Sequence, residues 1–74
     1  MVLVEIGARS APAETIVAVV TEDVYSVMSD RETLGFVHKV GNVYVALGGD
    51  VLSHAVEVGQ SLSLDRAIRM VRFQ

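Results

Sequence analysis

The chain has 74 residues, no cysteine, a single proline, two tyrosines and two phenylalanines. Each scarcity closes an avenue. Without cysteine no disulfide can staple the fold, and two histidines with no thiol fall short of the usual structural zinc sets. Four aromatic rings are too few for a base-stacking platform, and only Lys39 is placed to share a face with one of them, Tyr44. The longest uninterrupted apolar run is residues 16–20, far below the roughly 20 residues that span a bilayer. Residues 1–6 are apolar but short, contain Glu5 and carry no positive flank, so they do not read as a signal peptide. The expectation is a cytoplasmic protein with no membrane segment.

Apolar residues are plentiful, at 51% of the chain, and fifteen of them are valine. Valine suits a pleated, half-buried surface, so the sequence predicts sheet before helix. The length fits one domain, residues 1–74. A domain this small buries only about 60% of the surface of its unfolded chain. Some of the apolar excess must therefore stay exposed, and exposed apolar patches mark interfaces.

The net charge is −3, unevenly spread. Residues 1–62 carry eight acids against Arg9, Arg31 and Lys39; residues 63–74 carry Arg66, Arg69 and Arg72 against Asp65 alone. The body is acidic and the C-terminal segment basic.

Residues 2–6 alternate as a strand does, and residues 7–14, holding Pro12, read as a loop. Residues 15–20 are β-branched enough to predict a strand, with a helix from about Ser10 as the alternative. Residues 24–28 form a further strand, and 29–32 a polar turn. Two strand-like runs, 33–40 and 43–47, flank Gly41-Asn42, a hairpin signal. Folding about it sets Val40 opposite Val43, His38 opposite Val45 and Phe36 opposite Leu47. That bulky row is the expected core face, with Lys39, Tyr44, Val37 and Ala46 on the other. Residues 51–58 read as a helix capped by Asp50 or as a strand over 54–58; the strand is favoured because a meander needs that edge. Ser63 is a natural N-cap, Asp65 lies in the first turn, and Leu64, Ala67, Ile68 and Val71 form an apolar stripe over helix 64–72. The expected fold class is α+β: a small antiparallel sheet of four to six strands around the 33–47 hairpin, with one C-terminal amphipathic helix packed on it.

No spacing of these residues points to catalysis. No serine sits in a nucleophile elbow, Gly48-Gly49 lacks the residues of a phosphate loop, and His38 and His54 match no ligand pattern. The sequence predicts no enzyme, no cofactor and no metal. Arg66, Arg69 and Arg72 are the candidate anion or partner surface, although at i, i+3 and i+6 they spread widely over the helix and complement its C-terminal dipole. If 51–58 is helical, Ala55, Gly59 and Ile68 fall at helix-turn-helix intervals, but Asp65 stands where that motif wants an apolar residue. The acidic body also weakens phosphate attraction. The leading expectation is a non-enzymatic interaction or regulatory module that self-associates, with a further protein partner as a second possibility. Its sticky surface is expected at residues 2–6 or 15–20. Nucleic-acid binding through the arginine helix is the alternative. The arginines are expected to be engaged by Glu22, Asp23 or Glu57 of the sheet.

Overall fold

The computed structural model describes residues 2–4, 15–30 and 32–74, with backbone only for 2–4. Six strands follow in chain order: β1 (Val2–Val4), β2 (Thr15–Thr21), β3 (Val24–Ser29), β4 (Glu32–Val40), β5 (Val43–Gly48) and β6 (Val56–Ser61). They form one antiparallel meander in which spatial order equals sequence order. Helix α1 (Leu64–Arg72) then folds back and packs chiefly on β4, β5 and β6. The chain is thus a small α+β fold. Its predicted loop at 7–14 lies outside the described residues, as do the last two residues of the predicted strand 2–6.

The connections follow from their residues. Gly41 takes φ 61° at the first central position of the β4–β5 turn, where a type II′ hairpin requires glycine. Asp30 takes φ 51° between β3 and β4, a conformation that Asp tolerates better than most residues. In the β2–β3 turn the Asp23 amide donates to Thr21 Oγ1 at 3.3 Å. The 15–20 run is a strand, not the end of a helix.

The hairpin register is the one its sequence predicts: Val40 faces Val43, His38 faces Val45 and Phe36 faces Leu47. The choice of core face is corrected. Helix α1 covers the opposite row, in which Val37 and Ala46 are fully buried together with Val27, Ala67 and Val71. On the predicted core row Phe36 alone is buried; Val43, Val45 and Leu47 are half-buried, and His38 and Val40 are exposed. Steric relief explains the preference. Gly35 and Gly48 pair across β4 and β5, Ala46 pairs with Gly59 across β5 and β6, and these small residues floor a shallow bed. A Cβ on Gly35 would collide with the Leu47 carbonyl and stand 2.7 Å from Val71 Cγ1; one on Gly59 would stand 2.7 Å from Met70 Sδ. The helix can sit close only because those positions carry no side chain.

The helix begins where Ser63 Oγ accepts a hydrogen bond from the Arg66 amide at 3.3 Å. Its inward stripe is the predicted one, with Ala67 and Val71 buried and Leu64 and Ile68 half-buried; Met70 joins it over Gly59. At the other end Gln74 Nε2 donates to the carbonyls of Leu34 (3.1 Å) and Val71 (2.9 Å), tying the last turn to β4.

Residues 51–55 contain a single 3-10 turn, η1 (Leu52–His54), and the strand starts later than predicted, at Val56. Gly59 lies inside β6. The β5–β6 ladder skips Val58: Ala46 pairs with Gly59 and Leu47 with Glu57, so Val58 is an extra, bulged residue.

Candidate functional site

The two histidines do not converge. His38 stands near the hairpin-turn end of β4, and His54 lies in η1 at the opposite end of the sheet; both are exposed. Among the described residues no group of three or more His, Asp or Glu is placed to hold a metal ion. No described helix is long and apolar enough to cross a membrane.

Arg66, Arg69 and Arg72 all point into solvent from α1. Arg69 pairs with Asp65 one turn earlier, the one ion pair among the described residues, with both side chains well exposed. Arg72 lies over the Phe73 ring, 5.0 Å from its centroid. The expected engagement by Glu22, Asp23 or Glu57 is therefore not found there. Topology gives the reason. Glu57 pairs with Leu47 on the face of the sheet away from the helix, where it accepts from Gln60 Nε2 at 3.3 Å. Glu22 and Asp23 sit in the β2–β3 turn, whereas α1 lies over β4 to β6. The helix-turn-helix alternative loses its first helix, since Ala55 follows a 3-10 turn and Gly59 is in a strand.

The exposed apolar residues form the other candidate. Leu62 is 76% exposed, Phe73 72% and Val56 65%, and Val51, Leu52 and Val58 are exposed as well. These six belong to β6, the turn that leads into it, or the two ends of α1; Val19, Val20 and Val40, at the C-terminal ends of β2 and β4, are exposed too. β6 is also an edge, because no described strand lies beyond it. Of the two expected sticky runs, residues 2–6 contain β1, the other edge of the sheet, whereas in residues 15–20 β2 pairs with β3 on one side and, over Thr15–Val17, with β1 on the other. The sequence already favours a strand over 54–58 as an edge of the meander, and the structure places that strand at Val56–Ser61. Comparisons with family models, curated proteins and solved structures found no match.

Proposed function

We propose that this chain is a non-enzymatic interaction module that associates with a second copy of itself. One observation carries the reading: a small, uncross-linked domain leaves six apolar side chains exposed in β6, the turn before it and the two ends of α1, a larger set than Val19, Val20 and Val40 elsewhere. Covering such a group removes apolar area from water at roughly 25 cal/mol per Å². Light scattering over a micromolar concentration series tests it. The expected mass is about twice the 8.0 kDa of one chain; a mass that stays at one chain throughout overturns the reading.

Nucleic-acid binding through α1 is the second reading, favoured by the solvent-facing arginines. Three phosphate contacts give a log–log salt slope of only about −2.7 on duplex DNA. Titration of a DNA duplex at two salt concentrations tests it. Binding that weakens with that slope supports it, and no binding at low salt removes it.

A further inference from the structure

We infer that β6 is the contact strand, and that it pairs with β6 of a second copy, antiparallel, about a two-fold axis through Gly59. This rests on the self-association reading above and assigns its interface. An edge strand offers a row of unpaired N–H and C=O groups, which another strand can complete. Natural edges are blunted by lysine, proline or inward charge; β6 has no lysine, arginine or proline, and its one charge is Glu57. The bulge at Val58 is the remaining obstacle, and it fixes the register rather than forbidding it.

Antiparallel ladders alternate between close and wide pairs, so a symmetric pairing must set one residue opposite itself. With Val58 bulged out, β6 has five rungs, Val56, Glu57, Gly59, Gln60 and Ser61, each paired with a residue of β5. Gly59 is the middle rung. An axis there uses all five: Gly59 meets Gly59, Gln60 meets Glu57, and Ser61 meets Val56. Faces agree, since Val56, Gly59 and Ser61 pair with the helix-side residues Gly48, Ala46 and Tyr44, while Glu57 and Gln60 pair with Leu47 and Val45 on the other side. Charges agree too. Each Glu57 carboxylate lies opposite a Gln60 amide, which already donates to Glu57 within one chain at 3.3 Å. An axis on Glu57 would oppose two carboxylates, which destabilises a pair. An axis on Gln60 would keep only three rungs.

The pairing joins two sheets into one, with both helices on the same face and running antiparallel to each other. Because α1 lies over β4 to β6, the two helices are centred about three strand spacings apart, at roughly 4.8 Å per spacing. That separation is far shorter than the roughly 34 Å of one DNA turn that a half-site reader needs.

The absence of native cysteine makes cross-linking unambiguous. Glu57→Cys and Gln60→Cys chains are prepared separately, each oxidised alone and then as an equal mixture after exchange. Both positions are exposed. The mixture is expected to yield at least tenfold more covalent dimer than either chain alone, since only a thiol at position 57 facing one at position 60 of the other chain has disulfide geometry. Equal yields in all three samples overturn the register. No covalent dimer from variants that still double their mass overturns β6 as the interface and leaves self-association standing. A wild-type chain that is monomeric overturns both.

Discussion

The two faces of the β4–β5 hairpin share one register and opposite fates. The bulkier face carries Phe36, Leu47, Val45 and His38; the other carries Val37, Ala46, Gly35 and Gly48, and takes the helix. Hydrophobicity alone favours the first face. A helix, however, needs a bed shallow enough for its backbone to approach the sheet, and residues with little or no side chain provide it. The bulkier face keeps its own smaller buried set, Val24, Ser26 and Phe36, in which Ser26 Oγ donates to the Ala18 carbonyl at 3.4 Å. Depth of packing, not count of apolar atoms, decides which side becomes the helix interface.

Substitutions that raise the bed should break this difference most. Gly35→Ala places a methyl against the Leu47 carbonyl, a backbone atom that cannot swing away, so the expected loss is about 3 kcal/mol, the upper part of the overpacking range. The urea midpoint should fall with m unchanged. Next comes Val37→Ala, on the order of 2 kcal/mol for a fully buried side chain. Its counterpart on the bulkier face, Val45→Ala, should cost roughly half as much, because that residue is only half-buried. A larger loss at Val45 than at Val37 would mean that the faces are assigned the wrong way round. Ser63→Ala removes the helix cap for about 1 kcal/mol. Arg69→Ala should be smallest, about 0.5 kcal/mol or less, as its partner Asp65 is equally open to water. Thermal melts of the five variants should keep this order.

Much of the architecture was legible because it is encoded locally. Gly41-Asn42 sets the hairpin register, and Ser63 with the Leu64, Ala67, Ile68 and Val71 stripe sets the helix. Three features were hidden for tertiary reasons. The core face depends on Gly35 and Gly59 lying under Val71 and Met70, a relation that joins distant parts of the chain. The bulge at Val58 shifts β6 by one residue, so alternation in 54–58 misplaces the strand. The edge at β6 is not among the expected sticky runs, residues 2–6 and 15–20, although β1 within the first of them is the meander's other edge; β6 is an edge because the meander ends there. Arg66, Arg69 and Arg72 face solvent, but of the acids expected to hold them Glu57 lies on the other face of the sheet, and Glu22 and Asp23 lie in the β2–β3 turn.

Amide hydrogen exchange measured at low and high protein concentration shows whether the β6 edge meets a second copy. Backbone amides of an unpaired edge exchange freely, and those in a ladder do not. Protection within Val56–Ser61 is expected to rise with concentration in step with the mass, while α1 and the β3–β4 amides stay unchanged. Protection in β6 that is independent of concentration while the mass doubles would contradict it.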